Sequence, residues 1–508
     1  MKKNQEEKGK VVPKPSVKNN PIPPEVTEAV KTLENKGFEA FPVGGCVRDL
    51  LLGLTPKDWD ITTSARPEEI ITLFPKTFYE NSYGTVGVVF ENPSDENVRL
   101  IEVTPYRLEG KYEDYRHPSE VIFAKKIEDD LKRRDFTINA IAIRLSSGAI
   151  KDIIDFYDGF KDIKDKIIRT VGSPLERFEE DALRMLRAIR LATQLGFTIN
   201  IETKKAIQSH NNLLKHISFE RIRDEFVKII MSDEPKKGIE MAHELGLLKH
   251  FIPELEQSIG VKQPQAHAYE VWEHLLRSLQ HAADKNWPLE IRLAALFHDI
   301  SKPKTAGVSL ETHQITFYGH EVVGSRETRK IMERLKFPMK TTEKVTKLVR
   351  WHMFFSDPEK ITLSAVRRMT INVGRENIWD LMNLRICDRI GTGRPKENPY
   401  RFRKYQSMIE EALRDPISVS MLKMNGGELI KHLGINPGPK VGAILHALLE
   451  EVLEDPKLNT KEYLEKRSSE LNKMEEKDLE KLSNEGKKKK EEKNKEKVDE
   501  IRGKFHVK

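Results

Sequence analysis

The sequence predicts an α+β head built on a small mixed sheet, followed by an all-helical remainder. Three observations predict this. Runs of β-branched and aromatic residues bounded by turn formers are confined to the first 160 or so positions. Beyond them the apolar spacing is almost purely helical. A chain of 508 residues also exceeds what one hydrophobic core usually serves.

Residues 1–22 are rich in Pro, Lys and Asn and read as a disordered lead. The head is expected over 23–160. It opens with a helix at 24–37, ended by Gly37. The apolar run 38–47 is broken by Gly44-Gly45, and a helix restarts at 47–52. Strands are expected at 59–62, 86–90, 99–105 and 138–145. A helical neck and body, 161–260, should place helices at 174–195, 204–214, 219–231 and 236–245. A histidine-rich helical block follows at 262–395, then a further helical region at 396–465. Residues 466–508 are Lys/Glu-rich with few apolar positions and read as a disordered tail, at best a solvated helix.

Composition excludes several classes. No stretch approaches the roughly 20 apolar residues of a membrane span, and the early lysines precede no apolar segment, which argues against a signal peptide. Two cysteines, Cys46 and Cys387, cannot build a disulfide framework, so a reducing cytoplasm is the expected location. The net charge of +7 sits at the ends: the first 20 residues contribute +4 and the last 28 contribute +5, leaving about −2 over the 460 between. Any grip on a polyanion in the folded part must come from a local basic patch.

The most informative stretch is FPVGGCVRD (41–49), followed by GLTPKDWD (53–60). Gly44 and Gly45, between strand and helix, let backbone approach a phosphate, and Arg48 can add a charge-assisted contact. Asp58 and Asp60 have strand spacing i, i+2 and so share a face. Two carboxylates converging without a basic neighbour call for cations, and a pair of Mg²⁺ ions would satisfy them. Glu102, in the strand at 99–105, is a candidate third carboxylate. Farther on, Glu180, Asp181, Arg184 and Arg187 occupy the arc opposite the apolar stripe of the helix at 174–195, whereas Arg190 leans toward the stripe. A carboxylate beside a guanidinium offers acceptors and donors to a nucleobase edge. C and A each present an amino donor next to a ring-nitrogen acceptor, so Asp181 and Arg184 together would accept both and reject U and G.

The run GGCVRDLLLGLTPKDWDITTSA closely resembles the signature of class II tRNA nucleotidyltransferases and bacterial poly(A) polymerases. RRDFTINA (133–140), with Arg134 and Asp135, resembles their ribose- and phosphate-contacting motif. DFYDGFKD (155–162) resembles the hinge between head and neck. EDALR (180–184), continuing through Arg187 and Arg190, resembles the base-selecting motif, and TPYRLEGKYEDYRHPSEV (104–121) the flexible loop of the CCA-adding members. The resemblance implies a polymerase-β-like head, an all-α neck and body, and the substrates CTP, ATP and the 3′ end of tRNA.

His274, His298, Asp299, His320, His352 and Asp388 form an ordered set H…HD…H…H…D on separate expected helices, a usual way to hold one or two divalent ions. The set resembles the HD phosphohydrolase superfamily. It implies an all-α HD domain that binds a divalent metal of unspecified identity and can hydrolyse phosphoesters. His267 competes with His274 for the first position. Three readings compete: a CCA-adding enzyme; an A-adding specialist or poly(A) polymerase; and, in another class, an RNA-binding HD phosphohydrolase with a non-catalytic head. The complete loop argues against a CC-only enzyme, the uninterrupted RRDFTINA favours CCA addition over poly(A) synthesis, and the intact Asp58 and Asp60 speak against a non-catalytic head. Oligomeric state is not encoded in any recognisable pattern.

Overall fold

In the head, short segments rich in buried β-branched residues, among them Ile61, Val86, Val103 and Ile143, pair into sheets that satisfy their backbone groups. The computed structural model describes residues 10–12, 22–79, 84–109, 121–264, 268–354, 361–414 and 419–507. The strands are β1 (Lys10–Val12), β2 (Ala40–Pro42), β3 (Trp59–Thr63), β4 (Thr77–Tyr79), β5 (Val86–Val89) and β6 (Leu100–Pro105), then β7 (Arg107–Glu109), β8 (Val121–Phe123), β9 (Ile141–Ser146) and β10 (Ala149–Asp155). A five-stranded sheet runs β2-β3-β6-β5-β4. Only β3 and β6 pair in parallel, and the other neighbours are antiparallel. A small core under the sheet gathers Phe41, Val43, Tyr106, Leu131, Ala140, Ala142 and Val171. It anchors the turn that enters the helix Gly45–Leu51.

Several elements depart from the sequence reading. The lead contributes β1, which pairs with β10 in a sheet of order β1-β10-β9 and covers what would be an open edge. The strand expected from 138 begins at Ile141, because Thr137–Asn139 form a 3₁₀ turn. Gly159 packs so tightly under that turn that a Cβ there would lie 2.1 Å from the Thr137 carbonyl oxygen. β7 and β8 pair at the base of the expected flexible loop, whose central residues 110–120 lie outside the described set. The helix expected over 174–195 is two helices, Pro174–Glu180 and Leu183–Leu195. Asp181 between them is extended (φ −141°, ψ 103°), and its carboxylate accepts from the Leu183 N–H at 3.1 Å. Asp favours such local side-chain-to-backbone bonds over helix interior, and here it starts a new helix.

The described chain divides into two compact units: residues 1–350 with 387–393, and residues 351–386 with 394–508. This partition cuts across the expected limits at 262–395 and 396–465. The first unit holds the head, then the helices Ile201–His210, Phe219–Ile230, Pro235–Glu244, Val271–Asp284, Leu289–Phe297 and His320–Arg334. The second unit buries Leu429, Ile444, Leu448, Leu464, Leu471 and Leu479 among its helices. The tail expected as disordered contributes the helix Glu476–Lys504 to this unit. Leu479, fully buried, and Leu482, partly buried, seat its start on the core, and Phe505 beyond it stacks on Trp379. A few well-spaced apolar residues suffice to dock a helix that is otherwise highly charged.

Candidate active sites

The parallel register of β3 and β6 sets Asp60 directly beside Glu102. Register partners on adjacent strands share a face of the sheet, with backbones about 4.8 Å apart. Asp58 lies in the bend one residue before β3 and is exposed. Gly44, at φ +87°, turns the chain from β2 into the helix Gly45–Leu51, a conformation that L side chains rarely adopt. A Cβ on Gly44 would lie 2.8 Å from Arg134 Nη1 and 3.4 Å from Asp60 Oδ2. Bare backbone, a guanidinium and a carboxylate thus meet at one point. Cys46, adjacent but buried, is pushed up to about 12 by burial and by the Asp60 charge, so it is an inert thiol.

Arg48 is largely buried and bonds Asp49 at 2.7 Å through Nη2 and Asn139 at 2.8 Å through Nη1. Arg134 reaches Asp130 at 3.4 Å. Asp135 is buried: its Oδ1 accepts from the Asn139 amide at 3.1 Å, and its Oδ2 pairs with Arg187 at 2.7 Å. Burial raises the Asp135 pKa, but Arg187, Asn139 and Arg184 outweigh it and hold the carboxyl at about 2.

The base-selection candidates fall around the helix break. Arg184 bonds Glu180 at 2.5 Å and donates to the carbonyls of Arg177 and Arg133. Asp181 instead takes Arg221, on the helix Phe219–Ile230, at 2.8 Å. Asp181 and Arg184 are therefore close in the chain but engaged with different partners. Arg190, which leans toward the apolar side as its spacing indicated, pairs with the buried Glu225 at 2.7 Å.

A second constellation forms where the helices Val271–Asp284, Leu289–Phe297 and Ile378–Gly391 converge. One ligand atom each from His274, His298 and Asp388 lies within 4.8 Å of the others, and all three residues are buried. His274 Nε2 is 2.9 Å from His298 Nε2 and 3.1 Å from Asp299 Oδ2. His320 Nε2 is 3.1 Å from Asp299 Oδ1. The carbonyls of Ala295 and Phe317 can only accept, so the Nδ1 atoms of His298 and His320 donate to them at 2.9 and 2.7 Å. In the neutral rings the Nε2 lone pairs then face the cluster, the arrangement of a metal site. Burial pushes the Asp299 carboxyl up, yet Lys302 and His298 outweigh it and hold it well below the usual range. His352, directly after the helix Met339–Trp351, is buried and opens the second unit. His267 lies outside the described residues.

Sequence reasoning missed four participants: Lys302, 2.5 Å from Asp299; Arg221 on Asp181; Glu225 on Arg190; and Asn139. Lys302, three residues after Asp299, carried a local signal. Asn139 lies within the quoted motif 133–140, whereas Arg221 and Glu225 come from a distant segment.

Three family profiles match the chain: the poly A polymerase head domain over residues 40–169, the probable RNA and SrmB-binding site of polymerase A over 196–259, and the HD domain over 271–386. The CCA-adding enzyme of Geobacillus thermodenitrificans is 33% identical over 445 residues, covering 85% of this chain and 93% of that one. The chain belongs to the CCA-adding enzyme family. A CCA-adding enzyme of Anoxybacillus flavithermus is 45% identical over 227 residues, 44% of this chain and 54% of its own length. The chain thus spans about half the length of such closely matching CCA-adding relatives. The Bacillus stearothermophilus CCA-adding enzyme, solved in complex with CTP, superposes with a TM-score of 0.57 at 30% identity, covering 89% of this chain and 98% of that chain. The mixed-sheet head, the helical remainder and the HD domain are those expected from sequence. Nucleotidyltransferase and HD families generally use divalent metals such as Mg²⁺. Among the described residues, no helix is long and apolar enough to cross a membrane.

Proposed function

We propose that this chain adds C, C and A, from CTP and ATP, to the 3′ end of tRNA without a nucleic-acid template. The observation that carries the proposal is the register pairing of Asp60 with Glu102 beside Gly44 and Arg134. Asp58 and Asp60 would hold two Mg²⁺ ions, with Glu102 alongside. When bound, such ions polarise the attacking 3′-hydroxyl and stabilise the departing pyrophosphate. The rest falls to the chain's own side chains. The Gly44-Gly45 backbone, Arg48 and Arg134 receive the triphosphate, and Asp135 holds the sugar side. Glu180, Asp181 and Arg184, with Arg187 and Arg190, would present donors and acceptors to the base edge in place of a template.

The decisive experiment incubates the protein with tRNA lacking CCA, CA or A, each with single labelled nucleotides, and sequences the products. Stepwise C, C, A addition supports the reading. Addition of A alone to a CC end identifies an A-adding specialist. Long A tails identify a poly(A) polymerase. No addition at all overturns the transferase reading.

The buried histidine cluster favours a second activity in the same chain: phosphoester hydrolysis at RNA 3′ ends. His274, His298, Asp299 and Asp388 would hold a divalent ion, with His320 and, by sequence order, His352 completing the set. Such an ion supplies an activated water. Lys302, buried against Asp299, supplies a fixed positive charge for a phosphate. Metal content and release of phosphate from a cyclic-phosphate dinucleotide test this reading. Two free, buried cysteines support a reducing compartment, the cytoplasm.

A further inference from the structure

Asn139 is the one neutral side chain in a buried polar chain that runs from the head into the helix Leu183–Leu195. Its Oδ1 accepts from Arg48 Nη1 at 2.8 Å, and its Nδ2 donates to Asp135 Oδ1 at 3.1 Å. Asn139 is 8% exposed, and Asp135 passes the connection on to Arg187 at 2.7 Å. A carboxamide has one acceptor end and one donor end. Guanidinium on one side and carboxylate on the other fix which way it points, and no other uncharged side chain of this size satisfies both. The 3₁₀ turn Thr137–Asn139, held down by Gly159, leaves the amide little freedom.

We propose that Asn139 is a positioning residue for nucleotide addition, setting Arg48 and Asp135 at a fixed separation so that the phosphate side and the sugar side of the incoming nucleotide are held in register. The inference rests on the transferase reading above. Asn139 reaches the nucleotide only through its two neighbours. Losing it therefore loosens nucleotide placement without removing a group from the reacting atoms. A looser Asp135 also weakens discrimination at the sugar, so the choice between ribo- and deoxyribonucleotides is a readout that general destabilisation does not move.

The experiment compares the full-length protein with Asn139→Leu, Asn139→Asp and the charge swap Asp135→Asn/Asn139→Asp. Substrates are tRNA lacking CCA with CTP, ATP and their 2′-deoxy analogues. Wild-type addition comes first, because its absence sinks the transferase reading rather than this inference. Asn139→Leu should raise KM for CTP and ATP about tenfold with kcat within about threefold, the scale of losing a buried hydrogen-bonded pair. Preference for the ribonucleotide should fall by a similar factor. Asn139→Asp places two carboxylates against each other and should be worse. In the swap, the new carboxylate at position 139 faces Arg48, while the new amide at position 135 donates to that carboxylate and accepts from Arg187, at the cost of the bond that Asp135 Oδ1 accepts from the Phe136 N–H at 2.8 Å. The double variant should regain about tenfold in kcat/KM over Asn139→Asp, a coupling that independent sites do not show. If Asn139→Leu does not fold by circular dichroism, the swap decides alone. Unchanged KM and unchanged sugar preference in a folded Asn139→Leu, or additive losses in the swap, would overturn the inference.

Discussion

Asp60 is the residue on which most of the head converges: its strand partner is Glu102, its backbone carbonyl accepts from Val43, and its carboxylate lies against Gly44. Asp60→Ala should lower nucleotide addition about a thousandfold, several kcal/mol of barrier, while leaving the unfolding midpoint nearly unchanged. Near-normal incorporation would remove it from the chemistry. Asp135 makes a different, pH-dependent contribution. Its folded pKa of about 2 lies below the ordinary 3.8. A depressed carboxylate contributes stability that is fully present above its unfolded pKa and is lost as pH falls toward the folded one. The gap corresponds to about 2 kcal/mol. Urea unfolding of wild type and Asp135→Asn should differ by a constant amount from pH 5 to 8, and the difference should shrink between pH 4 and 2. A difference that persists at pH 2 would mean the ion pair with Arg187 contributes little.

Among elements, the broken helix 174–195 carries the residues proposed for nucleotide choice. The break turns Asp181 toward Arg221, while Arg184 stays with Glu180. Arg184→Ala should lose discrimination against U and G as well as rate. A variant that is slow but fully selective would move base selection elsewhere. Arg292 marks a second element-level feature. On the helix Leu289–Phe297 and only 2% exposed, it donates to the carbonyls of Ile230 and Ser232, at the end of the helix Phe219–Ile230, and to that of Trp287. Burial pushes its pKa down while Asp233 and Asp284 push it up, and the orphan carbonyls of the helix C-terminus accept its N–H groups. Arg292→Met leaves buried carbonyls unpaired and should cost about 1–3 kcal/mol in urea unfolding, with KM for CTP unchanged. Local pattern made most of these elements legible, because apolar spacing and turn formers act within a dozen residues. Their mutual register was not legible. Glu102 is legible as a third carboxylate on another strand, but nothing in the sequence sets it in register with Asp60, 42 positions earlier, and Asp181 gives no hint of Arg221. The helix break escaped because its signal, an aspartate that caps the following turn, is identical to that of an exposed helical aspartate.

At the scale of the molecule, the two candidate sites stand on different scaffolds. The head carboxylates ride on sheet strands, whereas the histidine cluster is assembled from helices far along the sequence. Residues without shared partners usually act independently. A His298→Ala/Asp299→Ala double variant should lose bound transition metal and any cyclic-phosphate hydrolysis, yet add CCA to a clean 3′-hydroxyl tRNA within about twofold of wild type. Unchanged metal content would make these histidines structural. Collapse of CCA addition in a folded variant would mean that this region also holds the tRNA.

The path of the chain gives this pairing a biosynthetic order. The first unit closes at residue 350, the chain then spends 36 residues in the second unit, and the helix Ile378–Gly391 returns with Asp388. A ribosome therefore joins every head residue, and all the histidines of the set, before it supplies the last carboxylate. A message that stops early, at any codon between 353 and 387, specifies a product with the full transferase complement but one ligand short at the buried cluster. Of the two candidate sites, the histidine cluster is the one that reports whether translation has passed this point.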